Sequence, residues 1–141
     1  MVVRDDRVLL LKNDRDRWEL PGGRIEPGET PEQCVAREVA EETRWQVTTG
    51  PLLDTWMYHI ESVGAHVFIV TYGCYPNSDG APVLSAEHSD IGLFTLNEVA
   101  NLDIPEGYQR SIRTWFRHLT RKGPDTLTWP CLTEPSRETA P

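Results

Sequence analysis

The sequence predicts an α/β protein in which a mixed β-sheet is flanked by helices. Three observations support this class: short apolar runs bounded by turns, a well-capped helix shortly after a Pro-Gly-Gly turn, and an amphipathic helix near the C-terminus. Strands and helices that follow one another in this order are typical of layered α/β domains. The chain has 141 residues and a hydrophobic content of 38%, so a single domain with one main core is expected.

Five segments have the composition of β-strands. They are rich in apolar, β-branched and aromatic residues, and most are followed by turn-forming residues such as Pro, Gly, Asn and Asp. They are Arg7 to Lys12, Trp18 to Leu20, Pro51 to Ile60, His66 to Tyr75 and Ile91 to Thr95.

Two capping boxes and one apolar stripe predict the helices. Thr30-Pro31-Glu32-Gln33 combines a capping threonine, a proline at the first helical position and a Gln that completes the box. Thr95-Leu96-Asn97-Glu98 predicts a second, shorter helix. A third helix is expected from Gly107 to Arg121, because the apolar residues recur at helical spacing there, namely at Tyr108, Ile112, Trp115, Phe116 and Leu119. Residues 1–122 therefore form the predicted domain, and residues 123–141 are expected to be an extended or flexible tail.

Composition excludes several classes of protein. The formal net charge of -8 and the pI of about 4.9 argue against duplex nucleic acid as a partner, since such binding depends on clustered Lys and Arg. No run of about 18 apolar residues is present, so no membrane span is expected. The first residues lack the pattern of a signal peptide. Three widely spaced cysteines, Cys34, Cys74 and Cys131, favour free thiols in a reducing cytoplasm.

The first predicted helix carries carboxylates at positions where they repel one another. Glu41 and Glu42 lie three and four residues after Glu38, so all three share one face of the helix, and the later two lie near its negative end. Such a cluster suits Mg²⁺, which prefers oxygen ligands and keeps several waters. A solvated acidic face is the alternative, and spacing alone does not decide between the two.

The surrounding residues extend this cluster into a longer motif. From Gly23 the chain continues with five residues, Glu29, seven residues, Arg37-Glu38, Val39, one further residue, and Glu41-Glu42. This string resembles the signature of the Nudix hydrolase (MutT-type) family, and the neighbouring strings WELPGG and EHSDIGLFTLNEV are similar to the family's usual flanks. One position departs from the signature, because Arg44 stands where glycine is usual. Glycine suits a left-handed helix end, where another residue costs roughly 1 kcal/mol.

The resemblance implies an α/β/α sandwich and a Mg²⁺-dependent enzyme, with Mn²⁺ as an alternative metal, that hydrolyses a nucleoside diphosphate linked to another moiety. The metal positions that it assigns are the Gly23 carbonyl, Glu38, Glu41 and Glu42. Glu41, Glu42 and Glu87 are the expected catalytic carboxylates, although a solvated Glu87 is equally compatible with its place in a loop. Glu29 and Arg37 would support the motif, with Arg37 tying the loop to the helix.

Candidate substrate contacts lie within the motif and just before it. Arg24, Arg37 and Trp18 are candidates for binding phosphate or base, but Arg24 also suits the surface and Trp18 also suits the core. The four histidines have no zinc-ligand spacing. The resemblance leaves the leaving group open and is compatible with a homodimer. It also leaves open a nucleotide-binding module without catalysis. Only Met1 to Asp6 precede the first predicted strand, where the family usually has another strand, so a shortened strand or missing residues remain alternatives.

Overall fold

A computed structural model describes residues 1–121 of the chain. The predicted strands and helices are all present in it, together with one additional short strand and a 3-10 turn. In chain order the elements are β1 (Val3–Arg4), β2 (Arg7–Lys12), β3 (Trp18–Glu19), α1 (Pro31–Thr43), β4 (Val47–Ile60), a 3-10 turn (Glu61–Val63), β5 (Ala65–Pro76), β6 (Asp90–Phe94), α2 (Leu96–Val99) and α3 (Glu106–Arg121). The predicted tail and Cys131 lie outside the described residues.

The central strand of the molecule is β2. It pairs antiparallel with β6 along one edge, and with β1 and β3 at the two ends of its other edge. A parallel bridge between Val2 and Cys74 links the start of the chain to β5, which makes the arrangement mixed, as predicted. Leu11 of β2 pairs with Glu19 on one edge and with Ile91 on the other, so β3 and β6 flank the same end of β2.

The two longest strands, β4 and β5, form an antiparallel hairpin. The observed β4 begins at Val47, four residues earlier than the predicted start at Pro51. Proline has no N–H for the ladder and is tolerated in a strand mainly at irregular positions. The register of the hairpin shifts between Thr49 and Leu52, and this irregularity allows one strand to continue through the proline.

The alternating side chains of β2 define the layers of the fold. Val8 and Leu10 belong to a buried cluster with Ile112 and Trp115 of α3, whereas Leu9 packs on the opposite face in a cluster with residues of and after α1. The second cluster consists of Val2, Leu9, Val39, Trp45 and Cys74. Both faces of β2 are therefore covered, which explains the continuous apolar run in its sequence and confirms the predicted α/β/α sandwich.

Local sequence signals fix the position of α1. The Thr30 side chain accepts a hydrogen bond from the Gln33 N–H at 3.2 Å, and the Gln33 side chain accepts one from the Thr30 N–H at 2.9 Å. The first turn of α1 is also tied to the hairpin, because the Tyr72 hydroxyl donates to the Glu32 carboxylate at 3.0 Å. These contacts hold the helix in a fixed orientation over β4 and β5.

The cysteines and the helices were also compared with the expectations from the sequence. Cys34 and Cys74 are buried and are not joined in a disulfide. Within residues 1–121, no helix has the length and apolar character needed to cross a membrane.

Candidate active site

Two carboxylates of α1 converge on the turn that follows β3. The backbone N–H of Gly22 donates a hydrogen bond to Glu42 Oε2 at 3.0 Å. A Cβ atom at Gly23 would collide with the carboxylate of Glu38. A side chain at position 23 would therefore displace the Glu38 carboxylate, which occupies the space beside the Gly23 Cα. The result is an oxygen-rich cluster, formed by the Gly22–Gly23 turn and the carboxylates of Glu38 and Glu42 on one face of α1.

Glu42 is the most deeply buried member of this cluster, and its side chain is only 7% exposed. The pKa of its carboxyl is raised to about 8, mainly by burial and also by the neighbouring charges of Glu38, Glu19 and Glu87. The hydrogen bond from Gly22 acts in the opposite direction. The surroundings of Glu42 therefore disfavour its ionised form. A cation bound beside the carboxylate would favour that form instead.

Arg37 braces the loop between the turn and α1. Its Nε and Nη2 atoms donate to the two carboxylate oxygens of Glu29 at 2.8 and 3.0 Å, and Nη2 also donates to the Arg24 carbonyl at 3.2 Å. Its Nη1 contacts Glu38 at 3.0 Å and Glu41 at 3.1 Å. The bidentate pair holds the pKa of Glu29 well down, at about 2. Arg37 therefore offsets part of the negative charge on the outer side of the cluster.

An open cavity of about 460 Å³ adjoins the cluster. It lies between the turn after β3, the N-terminal part of α1 and the edge of β5, and most of its lining is apolar. Ile25 and Phe68 are 52% and 61% exposed, although both are large apolar residues. The volume of the cavity lies in the range of small-molecule sites. A flat apolar ligand in it would cover the side chains of Ile25 and Phe68.

The NUDIX domain model matches residues 1–116 of the chain. The protein belongs to the Nudix family. A MutT-like protein from Streptomyces ambofaciens is 39% identical over 102 residues, which are 71% of this chain and 63% of that protein. An 8-oxo-dGTP diphosphatase from Proteus vulgaris is 55% identical over 38 residues, 27% of this chain and 34% of that protein. The chain therefore spans less than two thirds of the length of these curated relatives.

A solved structure supports the same architecture. The crystal structure of a MutT protein from Methanosarcina mazei matches with a TM-score of 0.71 at 22% identity, covering 84% of this chain and 90% of that one. Identity at this level shows the fold alone. The Nudix α/β/α sandwich is thus supported both by sequence and by three-dimensional similarity.

The departure at the end of the Nudix motif is accommodated by the backbone. Arg44 adopts a left-handed conformation with a φ of 62°, and its N–H donates to the Ala40 carbonyl at 3.0 Å. The left-handed helix end that glycine would suit is thus present here with an arginine. The glycine-like geometry is kept at the cost of local strain, and the carboxylates of the preceding turn keep their places on α1.

The remaining predicted residues lie at different depths. Arg24 lines the cavity, whereas Trp18 packs edge-to-face on Phe94 with ring centroids 4.7 Å apart and is not part of the cavity lining. The Glu41 side chain is 59% exposed at the rim. Glu87 is exposed in the loop before β6, yet its charge reaches Glu42 and contributes to that residue's raised pKa.

Sequence reasoning missed three polar residues that lie at the cluster, namely Glu19, His88 and Asn13. His88 Nε2 lies 3.3 Å from Glu19 Oε1 and 3.7 Å from Glu42 Oε1. Asn13 Nδ2 donates to the other Glu19 oxygen at 2.9 Å. Glu19 and His88 fall within the flanking strings WELPGG and EHSDIGLFTLNEV, so a signal was present in the sequence. It was not used, because spacing along the chain does not show that the two strings meet.

The donor set fits a hard divalent cation of the kind that Nudix hydrolases generally use. Glu38 and Glu42 supply carboxylate oxygens, and the Gly23 backbone lies directly beside Glu38. Within residues 1–121, no three His, Cys, Asp or Glu side chains are already gathered tightly enough to enclose an ion. Arg37 contacts one carboxylate oxygen of Glu38 and one of Glu41, so a bound metal would share these carboxylates with the guanidinium.

Proposed function

We propose that this protein hydrolyses the pyrophosphate linkage of a nucleoside diphosphate joined to another moiety, with Mg²⁺ as the cofactor. The observation that carries the proposal is the convergence of Glu38 and Glu42 on the Gly22–Gly23 turn within a complete set of motif carboxylates. In the reaction, a water oxygen forms a bond to one phosphorus atom, and the bond from that phosphorus to the bridging oxygen breaks. One water proton passes to a carboxylate of the protein.

Phosphoryl chemistry of this kind asks the protein mainly for positioning and charge compensation. When bound, Mg²⁺ supplies neutralisation of the pyrophosphate charge and a more acidic water. The chain would hold it through the Gly23 carbonyl and the carboxylates of Glu38, Glu41 and Glu42. Mn²⁺ prefers similar oxygen ligands and is the alternative.

Three carboxylates are candidates for accepting the proton from water. Glu42 is buried with a raised pKa, Glu41 lies at the exposed rim, and Glu87 approaches from the loop before β6. We expect Glu41 or Glu87 to be the base, because both are exposed to solvent, whereas Glu42 is buried and is assigned to the metal. Glu41→Gln and Glu87→Gln compared at saturating Mg²⁺ distinguish them, since loss of the base lowers kcat more than it alters metal affinity.

We expect the nucleoside part of the substrate to bind in the adjoining cavity. Its apolar lining and the exposed Ile25 and Phe68 are suited to a nucleobase, and Arg24 lies where it can face phosphate. The similarity to an 8-oxo-dGTP diphosphatase makes oxidised nucleoside triphosphates one class to test. ADP-ribose, dinucleoside polyphosphates and sugar nucleotides are the others.

A screen of these nucleotides with Mg²⁺, read by product analysis, tests the proposal. Wild-type protein is expected to split at least one of them at the pyrophosphate linkage. Glu42→Gln is expected to lower that rate to the level of wild-type protein in EDTA. Glu106→Gln is the matched control, because Glu106 is an exposed glutamate in the first turn of α3.

The contacts of Arg37 favour one rival function, a Nudix-type module that binds a nucleotide without cleaving it. The guanidinium already compensates Glu38 and Glu41, so the charge of these two carboxylates is partly satisfied without an ion. Tight nucleotide binding with no turnover of any nucleotide class at high Mg²⁺ or Mn²⁺ would support the rival and exclude the hydrolase.

A further inference from the structure

His88 is placed between two carboxylates of the cluster. Its Nε2 atom lies 3.3 Å from Glu19 Oε1 and 3.7 Å from Glu42 Oε1, and its side chain is only 8% exposed. The other ring nitrogen, Nδ1, is buried and has no hydrogen-bond partner among the described residues. The ring is therefore tied to its surroundings through Nε2, and both atoms that it approaches are carboxylate oxygens.

This asymmetry fixes which nitrogen carries the proton in the neutral ring. A proton on Nδ1 would leave a buried donor unsatisfied, which costs about 1–3 kcal/mol, and would point the Nε2 lone pair at two carboxylates. A proton on Nε2 instead donates to Glu19 Oε1 at 3.3 Å, and it presents its positive end to Glu42 Oε1, which lies 3.7 Å away. The Nε2–H form is therefore strongly favoured, and it supplies a donor at the point where the two carboxylates meet.

Each of the two carboxylates is also held at its second oxygen. Asn13 Nδ2 donates to Glu19 Oε2 at 2.9 Å, and the Gly22 N–H donates to Glu42 Oε2 at 3.0 Å. A continuous series of contacts thus runs from Asn13 through Glu19, His88 and Glu42 to Gly22. Without His88, Glu19 Oε1 and Glu42 Oε1 would both lose the ring nitrogen that lies beside them.

We propose that His88 is a positioning residue that holds Glu42 and Glu19 together in the orientation the metal centre requires. This inference rests on the proposed function. It assigns a role to a histidine outside the Nudix motif, acting through carboxylates rather than on substrate. Groups that orient a metal ligand in this way typically change metal affinity or activity by 10–100-fold when they are removed.

Binding of Mn²⁺ in the absence of nucleotide tests the inference without depending on turnover. His88→Leu keeps the bulk of the ring but removes the donor, and His88→Gln returns an N–H near the position of Nε2. His59→Leu is the matched control, because His59 is exposed on β4 and takes no part in the cluster. Mn²⁺ titrations followed by electron paramagnetic resonance give the dissociation constants, and thermal unfolding confirms that each variant is folded.

We expect His88→Leu to weaken Mn²⁺ binding roughly 10–100-fold, while His88→Gln recovers most of the loss and His59→Leu matches wild type. A folded His88→Leu with wild-type affinity overturns the inference and leaves the hydrolase proposal standing. Wild-type protein that binds no Mn²⁺ overturns the metal-dependent function itself, and the inference with it.

A measurement on unmodified protein covers the case in which His88→Leu does not fold. Long-range ¹H–¹⁵N spectra of the imidazole groups report which ring nitrogen is protonated. A protonated Nε2 on His88 supports the inference. A ring protonated only on Nδ1 contradicts it, because Nε2 could not then donate to either carboxylate.

Discussion

Replacing Glu42 with Gln is expected to make the metal-free protein more stable at neutral and alkaline pH, although it removes a residue of the active site. Glu42 is almost fully buried, next to the charges of Glu38 and Glu19. In the folded chain its carboxyl has a pKa of about 8, against an ordinary value of 4.5. Gln has nearly the same shape and keeps an oxygen that can accept the hydrogen bond from Gly22, but it carries no charge.

The sign and size of the effect follow from these two pKa values. Because the folded pKa is the higher one, the penalty is absent below about pH 4.5, grows as the pH rises toward 8, and is constant above it. Each pH unit in this window weakens the folded state by about 1.4 kcal/mol, so the loss between pH 4.5 and pH 7 is about 3 kcal/mol. Glu42→Gln does not incur this loss.

Urea unfolding in EDTA, at a series of pH values from 4.5 to 9, measures the difference between the two proteins. The unfolding free energies of wild type and Glu42→Gln should nearly coincide at pH 4.5 and differ by about 3 kcal/mol at pH 7. Glu106→Gln should follow wild type throughout. Added Mg²⁺ should raise the stability of wild type more than that of Glu42→Gln. A difference that does not change with pH would refute the reasoning.

Three further substitutions test individual parts of the site and its helix. Gly23→Ala should weaken Mn²⁺ binding, because its Cβ would collide with Glu38, whereas Gly22→Ala should leave the affinity unchanged, since no atom lies within 4 Å of the added Cβ; equal affinities would contradict the close approach. Arg44→Gly should stabilise the protein by about 1 kcal/mol in urea unfolding by relieving the left-handed strain, and Arg44→Ala should not. Thr30→Ala should cost about 1 kcal/mol through loss of the helix cap; an unchanged midpoint would show that the cap contributes nothing.

Local signals were sufficient for most elements of the fold. The Thr30 and Thr95 capping boxes form with both of their hydrogen bonds, because each depends only on residues three apart in the chain. The apolar stripe of α3 is buried against the sheet, as its helical spacing predicts. The predicted start of β4 was wrong by four residues. The strand continues through Pro51 because its register against β5 shifts there, and only the strand pairing reveals that shift.

Some residues of the site were predicted from the sequence and others were not, and the difference has a physical cause. The motif residues on α1 lie within a few turns of helix, so their spacing places them on one face without knowledge of the rest of the fold. The roles of Glu19 and His88 could not be obtained in this way. They are 69 residues apart and meet because β3 and β6 pair with opposite edges of β2.

By itself, the sequence determined the helical face of carboxylates, the glycine turn before it, and membership of a family in which these parts act together. The tertiary structure decided which of the carboxylates is buried, which are compensated by Arg37, and which partners from distant strands complete the cluster. The physical reason is that the spacing of residues along the chain fixes which face of a helix each side chain occupies. The burial of those side chains and the charges around them depend on which strands pack against the helix.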